Sequence, residues 1–264
     1  MTSRESLVRT LSFVALLLFA TAPLLMLIAT SLSRGWFYPA VLPQSLDASG
    51  WRDLITDAAR RDALVNSVLL GVGTAIVATL LALPLGRAAA LSTRAVRRTV
   101  ALLAFAAVAL PPVALGVGLQ LTVLSLGLGG TLTGVFLAHL VPALGYLTLV
   151  FLGVFTRWDA RLDESAATLG ANPLARWRLV TLPLLRRPIA DAMALGFLVS
   201  WAQVALTLLM GGGAVRTLPL EVLAMLQAGQ DQRAAAGALA LAIPALLVLG
   251  ASRVAARNTS AVVA

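Results

Sequence analysis

Side chains able to do chemistry are sparse in this chain, and their types narrow what it can do. Cysteine is absent, which excludes disulfides and thiolate metal sites. Lysine is absent too: all twenty basic residues are arginine, so there is no P-loop lysine to reach a terminal phosphate. The single histidine, His139, lies in a long apolar run with no adjacent carboxylate to orient it, which leaves a hydrolytic triad or a zinc centre without parts. Glu164 is the most suitable acid, but it sits in a charged segment rather than an apolar pocket. The uncharged polar groups within apolar runs that could line a pathway include Gln120, Thr122, His139, Ser200, Gln203 and Thr207. The last three fall at spacings of three and four, so they share one helical face beside Trp201. Such a face can line a pathway for a solute, or it can hold helices together by interhelical hydrogen bonds.

The elements that carry these groups are membrane helices. The chain has 264 residues, 59% hydrophobic and 12% charged, far more apolar than a soluble domain of this size. Six runs are long enough to cross ~30 Å of hydrocarbon, which takes ~20 helical residues: 11–32, 63–86, 99–125, 132–156, 189–210 and 235–251. They lack the alternation of a barrel strand, so the expected class is an all-α membrane protein of six crossings. Residues 11–32 follow Arg4 and Arg9 but are too long for a signal-peptide core, so an uncleaved first helix is expected.

Even-numbered crossing puts both termini on one side, and arginine decides which. With the N-terminus inside, fourteen arginines are cytoplasmic, six of them in the 157–187 segment; only Arg34, Arg52, Arg60, Arg61, Arg216 and Arg233 lie outside. The positive-inside bias favours that orientation, and it accounts for the net charge of +9 without a nucleic-acid partner. Within the spans the one formal charge is Asp191, expected in the first turn of the fifth helix, where the dipole favours an anion and Arg186 or Arg187 can pair with it. Ion-coupled secondary transport, the rival reading along with a channel subunit, usually leaves more ionisable groups inside the spans than this.

Punctuation along the chain organises the rest. The first outer loop opens with Trp36, Phe37 and Tyr38, suited to an interface, and from Ser49 reads as an amphipathic helix. Pro111-Pro112 should kink or unwind the third span, and Leu126–Thr131, with three glycines, forces a hairpin with the fourth. After Gly211-Gly212-Gly213, Pro219 can start a short outer helix. The expected division is 1–61, a first helix with an outer amphipathic segment; 62–252, a core transmembrane domain; and 253–264, a cytoplasmic tail.

The polar segment Trp158–Pro188 is built as two short helices about a glycine. Asp159 caps a first helix running to Leu169, on which Leu162, Ala166 and Leu169 share a face; Gly170 supplies a positive-φ C-terminal cap; Asn172-Pro173 starts a second helix, which Pro183 should end. Here the residues resemble a family. Glu164, Ser165, Ala166, Gly170, Val180, Leu182 and Pro183 match, interval for interval, the EAA pattern of membrane permeases in binding-protein-dependent ABC importers: Glu-Ala-Ala, three residues, Gly, nine residues, Ile, one residue, Leu-Pro. Ser165 and Val180 depart from it in identity only. The outer Pro219 segment resembles the corresponding element of the polyamine, ferric-iron and thiamine branch.

The resemblance implies a type I importer permease fold in the bacterial inner membrane. It implies a second related permease, two copies of a cytoplasmic ABC ATPase and an extracytoplasmic solute-binding protein as partners, with ATP and Mg held by the ATPase and no cofactor in this chain. It also implies that Glu164, Ser165, Ala166, Ala167, Gly170, Leu182 and Pro183 belong to the ATPase-coupling loop, and that the solute is small, such as a polyamine, thiamine or iron.

Overall fold

The computed structural model describes the backbone of residues 3–36, 39–40 and 42–263; the side chains of 3–8, Ala160, Leu162, Asp163, Leu249 and 251–263 are outside the description. Phe37 and Tyr38, expected at an interface, therefore lie outside the described residues, as does the side chain of Leu162.

In chain order the helices are α1 (Ser3–Ser31), α2 (Ser49–Thr56), α3 (Ala58–Leu91), α4 (Arg94–Ala109), α5 (Pro112–Ser125), α6 (Leu132–Thr156), α7 (Ala160–Thr168), α8 (Pro173–Arg176), α9 (Leu182–Trp201), α10 (Ala205–Gly211), α11 (Leu218–Gln227) and α12 (Asp231–Val263). A π turn, Trp177–Thr181, joins α8 to α9. Two-residue strands β1 (Ser33–Arg34) and β2 (Ser45–Leu46) pair antiparallel, Ser33 opposite Leu46. Among the described residues four helical stretches are individually long and apolar enough to cross a membrane: Arg9–Ser31, Ala58–Leu91, Leu132–Thr156 and Asp231–Val248. The number rises to six when each of two bent pairs, α4 with α5 and the α8–α9 stretch with α10, is taken as one span.

The chain divides into two compact units, one of residues 64–217 and one of 1–63 with 218–264. In the second of these, α12 packs against α1, α2 and α11. Its polar ties lie at one end of α12. Arg233 Nε donates to Asp53 (2.8 Å), and Gln232 donates its side-chain amide to the Asp47 carbonyl (2.6 Å). Trp51 Nε1 donates to Ser31 Oγ (3.3 Å), seating the amphipathic α2 against the end of α1. Asp47 accepts from the hydroxyl and the backbone amide of Ser49, and these bonds hold its carboxyl below the usual carboxylate range.

In the 64–217 unit α6 is central, with Val135, Ala138, Ala143, Leu147 and Phe151 fully enclosed. One cluster gathers Ala78, Ala82, Leu147, Phe151, Leu185 and Ala192; another gathers Leu70, Val123, Val135, Leu206 and Met210. With no hydrophobic drive between helices in lipid, closeness comes from small residues at the crossings. Gly145 on α6 is the tightest case that argument needs: a Cβ there would stand 2.7 Å from the Ala104 carbonyl oxygen of α4. Gly145→Val should accordingly force α4 and α6 apart at a cost of about 1–3 kcal/mol. Thermal unfolding in detergent checks this, with an exposed-site Gly118→Val, which meets nothing within 4 Å, as control.

The third expected span is broken more deeply than a kink. Leu110 and Pro111 each precede a proline, and a residue before proline is pushed out of the α region. Both accordingly take extended conformations, with ψ of 134°, and α5 restarts at Pro112, where a missing N–H costs nothing. The axes of α4 and α5 differ by 104°. Substituting both prolines by alanine should let the helix run through, lengthening the distance between labels at Ala101 and Leu121 by roughly 10 Å, since ~1.5 Å per residue over a straight helix gives ~30 Å. Spin labels on cysteines introduced at those two sites would read it, in a chain with no native cysteine.

Three expectations need correction. Pro183 does not end the helix of the polar segment: it falls in the first turn of α9, just past the π turn, where its lack of a donor is tolerated. Asp191 is consequently not in a first turn but at the middle of α9, and exposed. The fifth span is not one straight helix over 189–210, because residues 202–204 interrupt it and α10 departs at 60°.

Candidate functional site

The polar segment 157–187 folds as its caps dictate. Asp159 Oδ1 accepts from the Arg161 amide at 3.0 Å and starts α7. At the other end Gly170 has φ of +82°; its N–H bonds the Ala167 carbonyl (3.0 Å), and the Ala171 N–H bonds the Ala166 carbonyl (3.1 Å). That pair of bonds closes the helix in a Schellman turn, which needs the left-handed conformation glycine adopts without penalty. Asn172 Oδ1 then accepts from the Ala175 amide (2.8 Å), starting α8 with Pro173 in its first turn. α7 packs on α8 and on the π turn, so the segment is one folded piece.

Its outer surface is unusual for a polar segment. Glu164, Ser165, Ala167 and Gly170 are exposed and Ala166 is half-buried. Around them Leu169, Leu174 and Leu179 are 87%, 64% and 76% exposed. Nothing lies within 4 Å of where a Cβ on Gly170 would point. Leu182 and Pro183, also exposed, open α9 directly behind the π turn. A doubly capped turn that presents Glu164 among small and apolar exposed groups is a surface made to be covered.

The second constellation is buried. His139 on α6 is 1% exposed; its Nδ1 lies 2.8 Å from Ser200 Oγ on α9, and its Nε2 lies 3.1 Å from Thr207 Oγ1 on α10. Thr207 spends its one hydroxyl proton on the Gln203 carbonyl (3.0 Å). Its oxygen must therefore accept from Nε2–H, and Nδ1 accepts from the Ser200 hydroxyl: a neutral imidazole with the proton on Nε2. Ser200 and Thr207 flank the 202–204 interruption, so the histidine ties both sides of the bend to α6. Trp201 stacks on Phe197, centroids 5.3 Å apart. Gln203 and Gln120 are half-buried and Thr122 is exposed; none has its side chain among the histidine's partners. The spacing of Ser200, Gln203 and Thr207 marked one helical face, but nothing in it marked His139 as the partner of Ser200 and Thr207.

Among the described residues no three His, Asp or Glu side chains gather as a metal site. A further contact has no sequence signal at all: Arg87, near the end of α3, lays its guanidinium over the Trp177 ring of the π turn, 5.4 Å from the centroid.

Comparison with known proteins identifies the family. Residues 82–260 match the binding-protein-dependent transport system inner membrane component family, and the chain belongs to it. It is thus a permease of the importer class, a transport protein rather than an enzyme, and a multi-pass component of the bacterial inner membrane. The molybdenum transport system permease protein ModB of Mycobacterium tuberculosis is 32% identical over 212 residues, 75% of this chain and 80% of that one. The putative 2-aminoethylphosphonate transport system permease protein PhnV of Salmonella typhimurium is 30% identical over 252 residues, 92% of each chain. The crystal structure of a bacterial ABC transporter involved in the import of the acidic polysaccharide alginate shares the fold, with a TM-score of 0.66 at 19% identity over 96% of this chain and 98% of that one.

Proposed function

We propose that the chain is one of two permease subunits of an ABC importer, forming half of the translocation pathway and coupling it to a cytoplasmic ATPase through residues 157–187. The observation that carries this reading is the exposed, doubly capped turn with Glu164 and Gly170 at the EAA spacing. The arginine distribution supports six crossings with both termini cytoplasmic, which puts that turn on the ATPase side. α7 then lies in a groove of the ATPase, Glu164 meets a basic residue there, and ATPase closure swings the helices between inward-facing and outward-facing states. ATP and Mg belong to that partner. A second permease completes the pathway, and an extracytoplasmic binding protein delivers the solute, as the family's dependence on one supports.

Gln120, Trp201 and Gln203 are the pathway candidates whose side chains the histidine cluster does not engage. The solute is small. The outer Pro219 segment favours a polyamine, thiamine or iron, while the similar permeases, named for molybdenum and 2-aminoethylphosphonate, add those two to the candidates. Expression with the genomic neighbours and purification through a tag on this chain tests the assembly. An ATPase, a second permease and a binding protein identified by mass spectrometry would uphold it, and ligand screening on that binding protein would fix the solute. A lone stable subunit would return the ion-coupled or channel reading.

A further inference from the structure

A groove of ≈ 500 Å³ runs between α3 and the π turn with α9, walled by Thr79, Leu80, Leu83, Arg87, Trp177 and Ile189 among others. It is apolar except at its two ends. One end is closed by Arg87 over Trp177. Further in, Thr79 places a buried Oγ1 with no hydrogen-bond partner in the wall. Its extent along α3, from Ile76 to Arg87, is eleven residues, or ~16 Å at ~1.5 Å per residue, about half of a ~30 Å hydrocarbon core. A helix of a partner subunit runs the full depth of the bilayer and is ~10 Å across, so a groove ending at mid-depth does not match it. An acyl chain ends at mid-depth.

The charged end selects the headgroup. Arginine stacked on tryptophan belongs at the level of lipid phosphates, and a guanidinium engages a phosphate with paired N–H donors. Arg94, Arg97 and Arg98 follow directly after α3 and add positive charge at that end. No carboxylate lines the groove: Asp191, on the same stretch of α9 as Ile189 and Met193, is not part of its wall. None of the described lining residues would receive the ammonium of a zwitterionic headgroup. Basic pockets between membrane helices at the cytoplasmic side are where anionic headgroups bind.

We infer that this groove holds one anionic phospholipid of the cytoplasmic leaflet, its phosphate at Arg87 and an acyl chain laid along α3 towards Ile76. The inference rests on the orientation proposed above. A lipid seated there touches both α3 and the π turn that leads into the polar loop, so it braces the root of the coupling segment.

The test uses the assembled transporter in phosphatidylcholine bilayers containing a graded fraction of acyl-brominated phosphatidylglycerol or, separately, acyl-brominated phosphatidylcholine. The readout is quenching of Trp177, taken as the difference from Trp177→Phe. Half-quenching is expected at a mole fraction at least tenfold lower for the anionic lipid. Arg87→Gln should abolish that preference and Arg87→Lys should keep part of it. Leu83→Phe, which fills the groove, should weaken quenching by both lipids, and it keeps the test open should Arg87→Gln fail to assemble. Equal quenching by the two lipids in the unaltered protein would overturn the inference, since that is ordinary contact with surrounding lipid. Absence of quenching by either would also overturn it and would assign the groove to the neighbouring permease. The orientation is read independently, by labelling Ser92→Cys with a membrane-impermeant maleimide. Labelling from the outside alone would refute the orientation while leaving any lipid preference visible.

Discussion

Glu164→Arg abolishes uptake while the protein remains inserted and folded. Glu164 is exposed on α7, so its replacement should leave the buried packing of this chain in place. Its effect arises where the turn is covered: a charge pair buried at an interface, when one partner is lost, costs about 2–5 kcal/mol, and reversal adds repulsion. At ~1.4 kcal/mol per decade that is a loss of roughly 30- to 5,000-fold in coupling affinity. Gly170→Trp should act with similar force by a different route. No atom lies within 4 Å of a Cβ placed on Gly170, so the added ring is aimed at the surface that a docked partner would cover. The backbone at φ +82° adds a local penalty of about 1–2 kcal/mol for any L-residue. Uptake in vesicles, membrane content of the subunit and copurified ATPase should be measured together. Normal uptake in both variants would refute the docking role of this turn, whereas loss of the inserted protein would assign the effect to folding.

The second large effect is expected at His139. Its replacement by leucine leaves the Ser200 hydroxyl and the Thr207 oxygen without their shared partner, both in side chains under 5% exposed. A buried polar group deprived of its partner costs about 1–3 kcal/mol, and interhelical bonds in membranes tend to the lower end. Because the two hydroxyls stand on either side of the 202–204 interruption, the loss should appear as freedom between α9 and α10 as well as lower stability. His139→Gln, with a donor and an acceptor at the end of its side chain, should recover part of it. Thermal unfolding gives the energy, and nitrogen-15 spectra of labelled histidine give the proton position. A proton on Nδ1 would contradict the arrangement in which Thr207 donates to the Gln203 carbonyl.

Local signals were legible in the sequence and long-range ones were not. Asp159, Gly170 and Asn172-Pro173 state their roles within three or four residues, and the loop helices start and stop where those residues place them. Pro111-Pro112 marked the site of a break but not its size, because two successive pre-proline residues are both driven extended. Hydropathy found the parts of α3 and α9 that suit hydrocarbon, but helices continue beyond hydrocarbon: α3 begins at Ala58, ahead of the polar Arg60, Arg61 and Asp62. Pro183 was misread because its tolerance depends on the π turn before it, which no residue type announces. The histidine's partners lie 61 and 68 positions away, a pairing that only the packing of α6 with α9 and α10 creates.

The π turn at Trp177–Thr181 has a consequence for how the loop is aimed. A ring closed from residue i to i+5 holds one residue more than an α turn, so it amounts to a single insertion within an otherwise continuous helix. Deleting one residue there would restore ordinary winding and rotate everything on the N-terminal side of it by ~100° about the α9 axis, since each α residue turns that far. Every side chain of α7 and its caps would survive, yet Glu164 would point more than a quarter of a turn away. The docking proposed for this loop is therefore a matter of residue number as well as residue type, and a one-residue deletion should disconnect it as completely as the loss of the acid itself.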